Sequence, residues 1–152
     1  MKFLLSFLFF FVLSLSTIAQ SADKKVVNWL DFNELPAKLR EERKPILVFI
    51  HTNWCKFCLM QQNTTFTDPQ TVALLNREYY CLKLDAEHKE AIRFLNRDYQ
   101  AQSGGYHQLA ELLGKENGEL TFPTTLLLSE NLQLKRRQTG FINTENLRVL
   151  IQ

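Results

Sequence analysis

Ile46-Leu47-Val48-Phe49-Ile50-His51-Thr52-Asn53-Trp54-Cys55-Lys56-Phe57-Cys58 is the stretch whose reading decides the fold. Its first five residues are an unbroken β-branched and aromatic run, the pattern of a strand buried on both faces in a sheet covered by helices. Two cysteines three apart follow directly, where a helix is predicted to begin near Cys55 and to run past Met60. That context carries more than the spacing does. A cysteine in the first turn of a helix has its thiolate stabilised by the positive end of the helix dipole and by free backbone N–H groups. Cys58 lies one turn further on, within reach of closing a small disulfide ring. Lys56 adds a cation that favours thiolate, and Trp54 an apolar, substrate-binding wall that limits water without blocking a protein substrate. Cys55 is therefore the candidate attacking thiol and Cys58, deeper, the resolving one. Two plainer readings stay open, a permanent structural disulfide and half of a metal site. Tetrahedral zinc takes four ligands, and the remaining Cys81, His51, His88 and His107 show no ligand spacing, so no metal is expected.

Outward from this stretch the chain alternates strand and helix signals. Val26 to Trp29 reads as a short lead-in strand, and Phe32 to Arg43 as an amphipathic helix with Leu35 and Leu39 inward, stopped by Pro45. After the dithiol helix, Thr67-Asp68-Pro69 is an interruption and Thr71 to Asn76 is helical again. Tyr79 to Leu84 is a second buried strand, and Ala86 to Arg97 reads as a charged helix with Ile92 and Leu95 inward, capped by Asp85. Ser103-Gly104-Gly105 marks a turn, Tyr106 to Leu113 a short helix closed by Gly114, and Lys115 to Glu119 a loop. Thr124 to Leu128 and Leu132 to Arg136 form an antiparallel hairpin, and Asn143 caps a last helix through Leu150. The layout is α/β, with a central mixed sheet between helices on both faces.

The chain has 152 residues, 45% apolar and 22% charged, which fits one ordinary globular domain rather than a disordered, fibrous or coiled-coil chain. Met1-Lys2 is followed by Phe3 to Leu13, in which ten of eleven residues are apolar, and then by the small-residue exit Thr17-Ile18-Ala19. That pattern predicts a secretory signal peptide over residues 1–19 and a mature domain over 20–152 starting at Gln20, the alternative being a retained amphipathic or membrane-anchor helix. The expected location is periplasmic or secreted, where disulfides persist. With 18 Lys and Arg against 16 Asp and Glu, less Lys2, the mature balance is near 17 − 16 = +1. Nothing in it points to nucleic acid or an anionic membrane surface.

Trp54-Cys55-Lys56-Phe57-Cys58 after the strand Ile46 to Ile50, with Phe122-Pro123-Thr124 downstream, resembles the thioredoxin superfamily. A finer likeness is to the C-terminal thioredoxin-like domain of the bacterial transmembrane thiol:disulfide interchange protein. It rests on Thr65-Phe66-Thr67-Asp68-Pro69-Gln70-Thr71-Val72, Leu82-Lys83-Leu84-Asp85 and Thr139-Gly140-Phe141, and it spans Pro45 to Gln152. The resemblance implies a thioredoxin fold, Cys55 as attacking and Cys58 as resolving thiol. It also implies a cis-proline at Pro123, where Phe122 and Thr124 help to bind an extended substrate. By itself an X–Pro bond is cis in only ~5–6% of cases. Three departures stand out. Lys56-Phe57 replaces the Gly-Pro common between the cysteines of thioredoxins. Phe49 occupies the place of the buried acid that helps to deprotonate the resolving thiol, leaving water or a loop acid such as Glu119. A short helical insertion, near Gln100 to Glu119, precedes the cis-proline loop, either as a specificity element or as a passive surface excursion.

The reading is an exported thiol:disulfide oxidoreductase that reduces disulfides of extracytoplasmic proteins, with Lys56, Phe57 and His51 tuning the dithiol. The alternatives are an oxidase or isomerase of secreted proteins, and a non-catalytic binding module whose Cys55–Cys58 bridge is a static staple. No bound cofactor is called for, because the two thiols carry the electrons. The expected partners are disulfide-containing or thiol proteins and a membrane electron donor; the chain is expected to be a monomer. Cys81 reads as a buried small hydrophobe, with a regulatory third thiol as the alternative. Trp29 and Tyr79-Tyr80 read as core, His88 and His107 as surface, His51 as packed or solvent-facing, and Lys135-Arg136-Arg137 as solvated edge protection.

Overall fold

The computed structural model describes residues 26–151. The predicted signal peptide falls outside the described residues. Strand β1 (Trp29–Leu30) is followed by helix α1 (Leu35–Glu41), β2 (Ile46–His51), α2 (Lys56–Thr64), a 3-10 turn (Thr65–Thr67), α3 (Pro69–Glu78) and β3 (Tyr80–Asp85). A small hairpin of β4 (Ile92–Phe94) and β5 (Arg97–Tyr99), then α4 (Gln108–Gly114), β6 (Thr124–Leu128), β7 (Leu134–Thr139) and α5 (Thr144–Leu150) complete the chain. Five strands form one mixed sheet in the order β1-β3-β2-β6-β7. Strands β1, β3 and β2 run parallel, while β6 and β7 are antiparallel additions.

Central strand β2 is buried along its whole length because both of its faces are covered. Leu47 and Phe49 face one apolar cluster, which holds Phe66, Val72, Leu75, Cys81 and Leu147, that is, the side of α2, α3 and α5. Ile46, Val48 and Ile50 face the other, with Leu35, Leu82, Leu84, Leu109 and Leu126, the side of α1 and α4. The period-2 alternation of a strand thus splits one hydrophobic run between two layers. Helix starts follow side-chain caps: Asp68 accepts from the N–H of Thr71 at 2.8 Å to start α3, and Asn143 accepts from Asn146 at 2.8 Å to start α5.

The main correction concerns Ala86 to Arg97, which is not a helix. Leu95 and Asn96 both have positive φ, 50° and 62°, and make the two-residue turn of the β4–β5 hairpin. Such turns need left-handed backbone at both central positions, which Asn tolerates and Leu resists. Phe94 is buried edge-on to Phe32 at 5.6 Å, whereas Leu95, expected inward, is exposed. Asp85 accordingly caps a turn instead of a helix, its Oδ1 accepting from the N–H of Glu87 at 2.9 Å. Helix α1 is shorter than expected at both ends: Phe32 lies ahead of it against Phe94, and Glu42 is already extended, with φ of −145°.

Two further surface assignments are overturned. His107 is 1% exposed: its Nδ1 accepts from the N–H of Leu109 at 3.2 Å, capping α4, and its Nε2 lies 3.1 Å from the carbonyl of Glu90. Arg137 is not a solvated charge on edge strand β7. It donates to the carbonyls of Gly114 at 2.7 Å and Leu113 at 3.2 Å, closing the C-terminal end of α4. The segment 100–119 is therefore an anchored piece of structure with α4 at its centre.

Candidate active site

Cys55 is the N-cap residue of α2, and its Sγ accepts from the N–H of Cys58 at 3.0 Å. The two sulfurs are bonded, with Cα atoms 5.2 Å apart, so this is the oxidised form of the pair. Strand β2 ends at His51, and three further residues deliver Cys55 to the helix terminus. The loop is tied by Asn53, whose Nδ2 donates to Asp85 Oδ2 at 3.1 Å on the neighbouring strand end. Cys55 is 6% exposed and Cys58 fully buried, so the first sulfur is the one nearer the surface. Around it stand Trp54 and Phe57, each 62% exposed, and the exposed Lys56.

The Phe122–Pro123 peptide bond is cis. Pro123 and Thr124 are buried, the Thr124 hydroxyl donating to the Thr121 carbonyl at 2.6 Å. The carbonyl of Pro123 accepts from the N–H of Gly140 at 2.8 Å, and Gly140 adopts φ of 78°, a conformation that glycine takes without a Cβ penalty. Among the described residues the N–H and C=O of Phe122 have no backbone partner. Its ring packs against the cluster that contains both cysteines and stands edge-on to Trp54, with centroids 5.9 Å apart. The structure thus brings Trp54, the dithiol, Phe122, Pro123 and Thr124 into one place.

Beneath the dithiol the surroundings carry no buried charge and are largely aromatic and aliphatic. Phe49 is fully buried, edge-on to Phe66 at 5.0 Å and stacked on the ring of His51 at 5.5 Å. Among the described residues no Asp or Glu is buried to stand in for the missing acid, and Glu119 is an exposed residue bridged to Glu116. His51 is packed: burial pushes its pKa down, Asp85 opposing, and its Nδ1 has no partner among the described residues. Cys81 is also buried, in the same cluster as Cys55 and Cys58, and burial pushes its thiol up to about 12. Among the described residues no group of His, Cys, Asp or Glu side chains is arranged to hold a metal ion.

Two residues of this region were not singled out from the sequence. Gln61, wholly buried on α2 three residues past Cys58, donates to Thr125 Oγ1 at 3.1 Å and accepts from the N–H of Ile142 at 3.0 Å. A polar residue on the inward face of the dithiol helix was the available clue. Tyr106 stands edge-on to Phe122 at 5.0 Å.

A family model described as Thioredox_DsbH, protein of unknown function DUF255, matches residues 13–134. The chain belongs to this thioredoxin-like family. Among solved structures it is similar to a DsbH oxidoreductase, at 15% identity and a TM-score of 0.55, covering 82% of this chain and 84% of that one. A putative disulphide-isomerase from Bacteroides thetaiotaomicron is similar at 22% identity and a TM-score of 0.58, covering 85% and 93%. A thioredoxin from Thermus thermophilus is similar at 15% identity and a TM-score of 0.60, covering 83% and 85%. At these identities the likeness establishes the fold. No curated protein matches the sequence. The chain is therefore a member of the thioredoxin superfamily: a disulfide-oxidoreductase-type fold carrying the Cys55–Cys58 motif at the start of α2.

Proposed function

We propose that the protein is an exported thiol:disulfide oxidoreductase that reduces disulfides of extracytoplasmic proteins. The observation that carries this reading is the placement of Cys55 at the N-cap of α2, with the Cys58 N–H aimed at its sulfur. In the reduced form the same N–H and the helix dipole favour a thiolate at Cys55, and Lys56 adds to that field. The Cys55 thiolate attacks one sulfur of a substrate disulfide; a mixed disulfide forms, the substrate S–S bond breaks, and the other substrate sulfur leaves as a thiolate. Cys58 then attacks the Cys55 sulfur, closing the Cys55–Cys58 bond and releasing the second substrate thiol, with the Cys58 proton passing to the released sulfur. One electron pair has moved from the protein dithiol to the substrate.

Phe122, with its free N–H and C=O, is positioned to pair with an extended substrate strand beside Pro123 and Thr124. Trp54 and Phe57 supply the exposed apolar rim. Restoring the dithiol for another cycle takes an external dithiol donor, which we assign to a membrane electron carrier. Export rests on the apolar run Phe3 to Leu13 and its small-residue exit.

The test is insulin-type reduction with the purified protein and a chemical dithiol as donor. Wild type turns over, Cys55→Ser abolishes turnover, and Cys58→Ser accumulates a mixed disulfide visible by mass. A wild-type protein inert toward both disulfides and dithiols refutes the reading and leaves a binding module. Equilibrium with glutathione fixes direction: a potential near about −270 mV supports a reductant and one near about −120 mV an oxidant.

A further inference from the structure

Tyr106 lies on the 100–119 segment, outside both the dithiol motif and the cis-proline loop, yet its half-buried ring meets that of Phe122 at 5.0 Å and 75°. Phe122 meets Trp54 at 5.9 Å and 89°. The three rings form a continuous edge-to-face row that runs from the exposed lip of the dithiol to the insertion, the arrangement that the quadrupoles of aromatic rings favour.

The segment is fixed on every side of Tyr106. The Tyr106 carbonyl accepts from Gln102 Nε2 at 2.8 Å, and the N–H of the next residue, His107, donates to the carbonyl of Ala86 at 2.7 Å. The His107 ring caps the start of α4 and Arg137 closes its end. At Gly114 a Cβ would collide with Leu120 and approach Ile50 to 2.9 Å, so α4 lies close against the sheet. Ordering a loop costs about 1–2 kcal/mol of backbone entropy per residue. A passive excursion has no need of these anchors, nor of an aromatic side chain set against Phe122.

We propose that Tyr106 is a specificity-determining residue of the dithiol site. With Phe122 and Trp54 it selects disulfides in extended polypeptide that carry an aromatic or large aliphatic residue beside the reacting cysteine, over small disulfides. This rests on the oxidoreductase reading above. Phe122 offers its backbone to the substrate strand, and a side chain of that strand projecting toward α4 meets the ring row, gaining the contact only if it is apolar. A small disulfide such as glutathione disulfide has no such side chain to offer.

The experiment compares two peptide disulfides that differ only in Phe or Gly beside one cysteine, with glutathione disulfide as the small reference. Wild type prefers the Phe peptide by about three- to tenfold in kcat/KM, the range an aromatic pair supplies, and the preference lies in KM. Tyr106→Ala loses it and Tyr106→Phe keeps it. A wild type that reduces both peptides equally overturns the proposal with no variant needed. So does a Tyr106→Ala protein that keeps the preference, or one whose losses on all three substrates are equal. A wild type inert on all three overturns the oxidoreductase reading itself, which separates the two failures.

Discussion

Replacing Gln61 with Met removes a buried amide while keeping side-chain length and helix preference nearly constant. In the native protein that amide joins α2, one turn past Cys58, to Thr125 on β6 and to the backbone of Ile142. The N–H of Ile142 has no freedom to re-aim, so it keeps the cost of an unmade buried bond, about 1–3 kcal/mol. The Thr125 hydroxyl can rotate and adds on the order of 1 kcal/mol. A thioether is easier to desolvate than an amide, which returns about 1 kcal/mol. The expected net loss is about 2 kcal/mol, and at ~4 °C per kcal/mol for a domain of this size the melting temperature drops by about 8 °C. Urea unfolding of the oxidised protein, followed by circular dichroism, reads this as a lower midpoint at unchanged slope. Thr125→Val closes a double-mutant cycle in which the pair costs less than the sum of the singles by roughly 0.5–1 kcal/mol. A loss below about 0.5 kcal/mol, or strict additivity, refutes the view that this amide pins the dithiol helix to the cis-proline strand.

Two other outcomes follow from buried groups. Burial holds His107 neutral in the fold, with His88 adding to the downward shift of its pKa and the Glu90 carbonyl opposing. The unfolded chain therefore binds a proton at higher pH than the folded one. The contribution is complete above the ordinary histidine range near ~6.5 and is lost as pH falls below it. His107→Asn keeps a capping side chain but removes the titration, so the fall in urea midpoint between neutral and mildly acidic pH becomes shallower; His51, which burial shifts the same way, and the depressed carboxyls of Asp68 and Glu111 supply part of the remainder. An unchanged slope refutes the assignment. Cys81, 1% exposed with its thiol pushed up to about 12, stays unalkylated when the reduced native protein is treated with iodoacetamide at slightly alkaline pH. Mass spectrometry before and after denaturation checks this, and native labelling at Cys81 contradicts it.

The sequence by itself determined the features whose causes are local. A β-branched run marks β2 wherever it is placed, and a cysteine at the strand-to-helix junction meets the helix dipole with no help from distant residues. The helix cap at Asn143 and the β6–β7 hairpin were legible for the same reason, while Asp68, read only as part of an interruption, proved to cap α3.

Tertiary structure decided what depends on partners far along the chain. Charges from Glu87 to Glu90 suggest an exposed helix, but the burial of Phe94 on Phe32, 62 residues earlier, turns the segment into a hairpin. Arg137 reads as a solvated charge until α4, 23 residues earlier, offers its last carbonyl. His107 reads as surface until the carbonyl of Glu90 and the start of α4 take both ring nitrogens. The role of Tyr106 exists only because Phe122 and Trp54 come from two other elements. Hydrophobic period and capping are written within a few residues, whereas the partner that satisfies a buried polar group or completes an aromatic row is selected by the closed fold.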